Sequence, residues 1–400
     1  MANVSSSNGL EKYPKLRFKG FSEPWKTDTL GNLGTFIKGA PLSKADITDE
    51  GTPFVLYGEL YTTYGEVTHS IKRRTDKVVE PQFYSKVGDV IMPTSGETPE
   101  DIATASCIML PDVILAGDLL IYRTQKVDGR LVSFVVKNKV NKQISSVAQG
   151  KSVVHVRAEE LSKIAISYPS DAEQHKILTM LELLEDKMSK QRELIEHLKK
   201  YKRGVSNTFF NDKVVAECSA VLPFGQAVEI NPKTKSLPTE FIYIDLESVE
   251  SGKLLQENII SHDNAPSRAQ RVLTKGDVLF QMVRPYQKNN FYFESELSLP
   301  AVASTGYAQI RCVDNDPLFV FEQISSDYFA NEAMLRSTGT GYPAINADSL
   351  AEIPFIKHPI EEQRKIGKFL YLLSQRIIQE ESKLEALLKV KGAMLQSLFI

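Results

Sequence analysis

Apolar residues along 171–210 and 360–400 recur at alternating intervals of four and three, with no proline inside either stretch. In the first, Ile177, Leu181, Leu184, Met188, Gln191, Ile195, Leu198, Lys202, Val205 and Phe209 form a heptad seam. In the second, 189 positions on, Ile366, Leu370, Leu373, Ile377, Glu380, Leu384, Leu387, Lys391, Met394 and Leu398 repeat it. A 3.5-residue period held this long predicts helices whose seams need partners. Each would run about 60 Å, and the nearest partner is the other copy, so an antiparallel coiled coil is expected. Both seams are interrupted at the same two places. Gln191 and Glu380, one pair of interruptions, would cost stability but fix register, as a buried asparagine does elsewhere.

Residues 25–168 and 211–357 follow another pattern. Short apolar or alternating runs such as Phe54–Tyr57, Val132–Val136, Phe241–Ile244 and Val278–Phe280 are punctuated by Gly, Pro, Asn and Asp, which reads as strands and loops with some helix. These segments repeat as well. Gly88-Asp89-Val90 returns 188 positions later as Gly276-Asp277-Val278, and Glu173-Gln174 and Phe210 return after 189 as Glu362-Gln363 and Phe399. One register held across widely separated landmarks marks a tandem duplication. The chain then divides into an N-terminal arm (1–24), a first domain (25–168), a spacer helix (169–210), a second domain (211–357) and a second spacer helix (358–400). The fold class is α/β in the broad, α+β sense.

Composition narrows the classes. Of 400 residues, 42% are hydrophobic and 24% charged, ordinary for a globular chain, and the formal charge of −2 advertises no polyanion partner. Cys107, Cys218 and Cys312 are dispersed and form no Cys-x-x-Cys, so reduced thiols are expected rather than a disulfide framework. The N-terminal stretch is polar, without the apolar core of a signal peptide, and no run is long enough to span a membrane. A cytoplasmic protein is expected.

Catalytic chemistry is hard to place. Gly150-Lys151-Ser152 lacks the first glycine of a phosphate-binding loop, because residue 145 is Ser145. Gly339 and Gly341 lack a third glycine and a following helix, so they read as a turn. The six histidines show no metal-binding spacing, and no acid-x-Lys element completes a nuclease site after Asp118 or Asp128. No catalytic residue, no metal and no cofactor is assigned to this chain. Basic and aromatic residues do gather in the loops of both domains: Lys72, Arg73, Arg74 and Lys151 in the first, and Arg284, Tyr286, Gln287, Lys288 and Asn289 in the second. Thr94 and Ser95, just after the first Gly-Asp-Val strand, and Tyr342 complete the candidate DNA contacts. Arg, Gln and Asn can pair two-pronged with purine edges while Lys holds phosphates. The alternative is that these are solvated charged loops.

Taken together, the residues resemble one family, the specificity subunit of type I restriction–modification systems. The likeness rests on the opening Lys15 to Leu33, on Lys86-Val87-Gly88-Asp89-Val90 and on Lys275-Gly276-Asp277-Val278-Leu279-Phe280. It rests also on Ile353-Pro354 followed by Pro359-Ile360-Glu361-Glu362-Gln363-Arg364-Lys365-Ile366, and on the two helix ends, 201–210 and 391–399. It implies two target-recognition domains, each a curved, mainly antiparallel sheet with helices, related by a pseudo-twofold and each reading half of a split double-stranded DNA target. It further implies that the helices act as spacer and dock two methyltransferase (modification) subunits, joined by a motor–nuclease (restriction) subunit. S-adenosylmethionine, ATP and Mg would belong to those partners. One departure is the start of the second half: Asp212–Cys218 replaces a second copy of the Lys-Leu-Arg-Phe opening. The segment Lys15–Phe21 is expected to pack on the central or C-terminal helix. The competing reading is a non-catalytic coiled-coil adaptor whose domains bind protein or glycan.

Overall fold

The computed structural model describes residues 13–148, 150, 154–217, 220–234, 236–294 and 297–400; Lys151 and Cys218 lie outside them. The chain forms two compact units, one of Met1–Lys190 with Leu384–Ile400 and the other of Gln191–Lys383. Two helices, Asp171–Phe209 and Ile360–Leu398, each contribute one length to either unit.

In the first unit a five-stranded sheet has the order Gly34–Lys38, Leu119–Thr124, Asp89–Pro93, Ser106–Ile108, Val67–Thr68. Its pairs are antiparallel except the last. A smaller sheet sets Thr52–Leu56 parallel to Ile114–Ala116. The second unit repeats both pairings. Val278–Gln281 lies antiparallel to Tyr307–Arg311, and Glu240–Ile244 lies parallel to Ala301–Ser304. The mainly antiparallel, mixed helix-and-sheet architecture is thus written twice.

The Gly-Asp-Val motif owes its recurrence to a turn. Gly88 and Gly276 have φ of +93° and +91°, a region that penalises a Cβ. The buried aspartates close each turn: the backbone N–H of Lys86 donates to Asp89 and that of Thr274 to Asp277, at 2.9 and 2.7 Å. Each carboxylate then pairs with an arginine from the adjacent strand, Arg123 at 3.2 Å and Arg311 at 2.8 Å.

Both long helices enter the cores. In the first unit Ile177, Leu181, Leu395, Leu398 and Phe399 pack with Trp25, Leu131 and Phe134, and the Phe399 ring lies 6.3 Å from that of Phe134. In the second, Phe210, Ile366 and Leu370 pack with Phe224, Phe319 and Phe355, with Phe210 at 5.4 Å from Phe319. The glutamines of the repeated Glu-Gln pair seat the helix starts. Gln174 Oε1 accepts from the Asp128 backbone N–H at 3.0 Å, and Gln363 Oε1 from that of Asp316 at 2.9 Å. Asp128 and Asp316 cap the following helices, Gly129–Asn138 and Pro317–Ile324.

The N-terminal arm ties both helices within the first unit. Leu16 N–H donates to Ser397 O at 2.9 Å, and Arg17 pairs with buried Glu173 at 2.8 Å.

Within each unit the helices run antiparallel. In the first, Glu185 meets Lys391 while Ile177 and Leu181 meet Leu398. In the second, Gln191 meets Glu380 and Lys202 meets Ser374. The seam residues Ile177, Leu181, Leu184, Gln191, Ile195, Leu198, Ile366, Leu370, Leu373, Ile377, Glu380, Leu384 and Leu387 are all buried or half-buried. The first polar layer is a hydrogen bond: Gln191 Nε2 donates to Glu380 Oε2 at 2.7 Å. The second reaches beyond the seam. Lys202 pairs with buried Glu322 at 2.8 Å, and Lys391 with Glu66 at 3.1 Å and Glu185 at 2.5 Å. With Ser374 and Glu185 on the facing helices, these lysines fasten helix to helix as well as helix to domain within their units.

Candidate nucleic-acid interface

In each unit the strand that follows Gly-Asp-Val runs out into a loop, and a second segment returns against it. The first unit pairs Ser95–Gly96 with Val154–His155. Ser95 is buried there, with its Oγ 3.0 Å from His155 Nδ1 and its carbonyl accepting from the Tyr61 hydroxyl at 2.6 Å. Thr94, half-buried, hangs from Asp118 O by its backbone N–H. In this unit the exposed polar group at the loop pair is His155.

The second unit bridges Val283 to Ala344, and Arg284 N–H donates to Pro343 O at 2.7 Å. Arg284 and Lys288 both have φ of +53°, bracketing the short turn Pro285–Gln287. The Arg284 guanidinium lies over the Tyr342 ring, 4.3 Å from its centroid. Tyr286 and Tyr342 are exposed. Their neighbours are held inside the loop: Gln281 Nε2 donates to Gln287 Oε1 at 2.8 Å, and Asn289 Oδ1 accepts from Ser251 N–H at 3.2 Å. Lys288 pairs with Asp327, which also takes Arg203 at 2.6 Å. Burial pushes the Asp327 carboxyl up, but Lys288 and Arg203 outweigh it and hold it below the usual range.

Lys72, Arg73 and Arg74 lie on and just before the strand Arg74–Thr75. Lys72 is exposed, Arg73 pairs with buried Glu59 at 2.9 Å, and Arg74 donates to Gly51 O at 2.8 Å. Arg73 lines an open groove of about 1160 Å³ with Lys38, Lys44, Tyr57, Gln82 and Asp118. Among the described residues, no group of three or more His, Cys, Asp or Glu could hold a metal ion, and no helix is long and apolar enough to cross a membrane.

Sequence reasoning missed Glu66 and Glu322, the carboxylates that receive the seam lysines. The one available signal was lysine at the same seam position in both copies. It also missed apolar residues that the helices leave uncovered. Leu183 and Val390 are exposed in the first unit, and Leu372 and Tyr201 in the second. Leu183 matches Leu372, and Tyr201 matches Val390, across the repeat of 189. Each unit thus presents one member of either pair to solvent.

Residues 22–200 match the family model described as the type I restriction modification DNA specificity domain. The chain is 21% identical to the type I restriction enzyme MjaVIII specificity subunit of Methanocaldococcus jannaschii, over 97% of this chain and 95% of that one. It is 21% identical to a putative type I specificity subunit of Mycoplasma genitalium, over 68% of this chain and 71% of that one. Among solved structures, the type I restriction–modification S subunit from M. genitalium matches with a TM-score of 0.64 at 18% identity, over 97% of this chain and 99% of that one.

Proposed function

We propose, from the likeness of this chain to type I restriction–modification specificity subunits, that it reads a bipartite double-stranded DNA sequence, one half with each unit. In this reading the helices dock two methyltransferase subunits, and a motor–nuclease subunit joins the assembly. Methylation and cutting then occur on the partner chains, and this chain supplies the address.

The observation that carries the proposal is the loop pair repeated after each Gly-Asp-Val strand. One scaffold presents different chemistry in its two copies, Ser95 with His155 in one and Arg284 with Tyr342 in the other. That is what two unlike half-sites require, since base edges are told apart by donor, acceptor and shape. The paired exposures Leu183/Leu372 and Tyr201/Val390 support docking. A partner that covers one unit's apolar residues finds equivalents on the other, so two like partners fit one chain.

The test is affinity of the assembled complex for duplex DNA across a salt series. A DNA reader that neutralises six or more phosphates loses about a thousandfold or more in affinity between 50 and 200 mM salt. An affinity flat with salt, or binding confined to protein or glycan, would favour the adaptor reading instead.

A further inference from the structure

Among the described residues, Arg284 is the arginine whose guanidinium is held over an aromatic ring. Arg73, Arg123, Arg311 and Arg336 each meet a carboxylate within hydrogen-bond distance. Among the described residues the Arg284 guanidinium has no carboxylate or carbonyl partner, and it is held instead against the face of Tyr342. Its backbone is left-handed, a conformation that costs any residue with a Cβ. The hydrogen bond to Pro343 O and the buried Pro285 hold it there. Strain kept in this way is concentrated where a side chain must be aimed.

A guanidinium stacked on an aromatic ring is fixed in plane by the cation–π attraction, and its fork of N–H donors stays unspent. Such a fork fits the O6 and N7 acceptors of guanine in the major groove. A phosphate contact would need charge but no fixed plane. The loop's other cation, Lys288, is already neutralised by Asp327. The equivalent position in the first unit is Gly96, next to the Ser95–His155 pair, so that position offers a guanidinium in the second unit and not in the first.

From this we infer that Arg284 is a specificity-determining residue that reads one guanine in the half-site of the second unit, with Tyr342 as its positioning residue. The inference rests on the DNA-reading function proposed above. A chain that directs no sequence-dependent methylation would end that reading; a recognised sequence indifferent to Arg284 would end this inference alone.

The experiment uses the full chain assembled with its methyltransferase subunits. Its methylated sequence is first mapped, then each base pair is replaced in turn in synthetic duplexes. The wild type should lose about 5- to 150-fold in affinity when one G·C pair in one half is replaced. Arg284→Ala should bind all four base pairs at that position nearly alike and keep discrimination throughout the other half, which also reports that the chain is folded; Arg284→Lys, which can still donate to guanine but lacks the planar fork, should keep part of it. Tyr342→Ala should weaken the same discrimination and Tyr342→Phe should keep it. Discrimination that survives Arg284→Ala in full would take the guanine reading from Arg284, and a loss spread evenly over every position would make it a phosphate contact; either result overturns the inference.

Discussion

At the scale of single residues, the shared motifs are explained by what their side chains close. Asp277 accepts the turn's backbone N–H, Gln309 Nε2 at 2.7 Å and the Arg311 fork, all while buried. Removing it strands those donors and half of an ion pair. Asp277→Ala should therefore destabilise the second unit by about 3 kcal/mol, measured by denaturant unfolding; a loss below about 0.5 kcal/mol would mean the pair is dispensable. The Lys391 seat makes a pH prediction. Burial pushes the Glu66 carboxyl up, but Lys137 and Lys391 outweigh it, so its pKa falls below the ordinary value. Burial pulls the Lys391 ammonium down, but Glu66 and Glu185 outweigh it, so its pKa rises. Glu66 thus contributes stability above the ordinary carboxylate pKa that is lost as pH falls through its depressed one. Lys391 contributes below the ordinary amine pKa and loses that as pH rises through its raised one. Lys391→Met should therefore cost stability at neutral pH and cost less as pH falls through the Glu66 pKa, read by denaturant unfolding at several pH values; a cost that does not change with pH would contradict the assignment.

At the scale of elements, the helices were legible because a 3.5-residue period survives without knowledge of the partner. So was the polar pair Gln191 and Glu380, which meets in a hydrogen bond. Changing both to Leu should leave melting temperature equal or higher while the assembly loses its single oligomeric form, followed by native mass spectrometry. Unchanged homogeneity would remove the register role. The second interruption was visible but its meaning was not, since Glu322 and Glu66 reach Lys202 and Lys391 only through tertiary structure. Strand order was hidden for the same reason. Thr52–Leu56 finds its parallel partner at Ile114–Ala116, and no local pattern encodes that register. Ser95 reads as an exposed loop residue in sequence. The pairing with Val154–His155 buries it, whereas Arg284, Tyr286 and Tyr342 are brought to one surface loop cluster.

At the scale of the whole molecule, each unit takes its core from one sheet domain, one length of the central helix and one of the C-terminal helix. Deleting 384–400 removes Leu395, Leu398 and Phe399 from the first unit's core, each a burial of about 1.5–3 kcal/mol. Limited proteolysis should then open the first unit while the second stays protected, and uniform protection would contradict the division. The duplication has a functional counterpart in the proposed reading, two halves of a DNA sequence addressed by two versions of one scaffold. The measurement that tests this most directly is base-modification sequencing of a host expressing this chain with its methyltransferase subunit, against a host lacking only this chain. The account predicts a split motif of two defined halves and an unread gap, methylated only when the chain is present. It also predicts that exchanging residues 25–168 alters one half alone. Methylation independent of the chain, or an exchange that rewrites both halves, would contradict it.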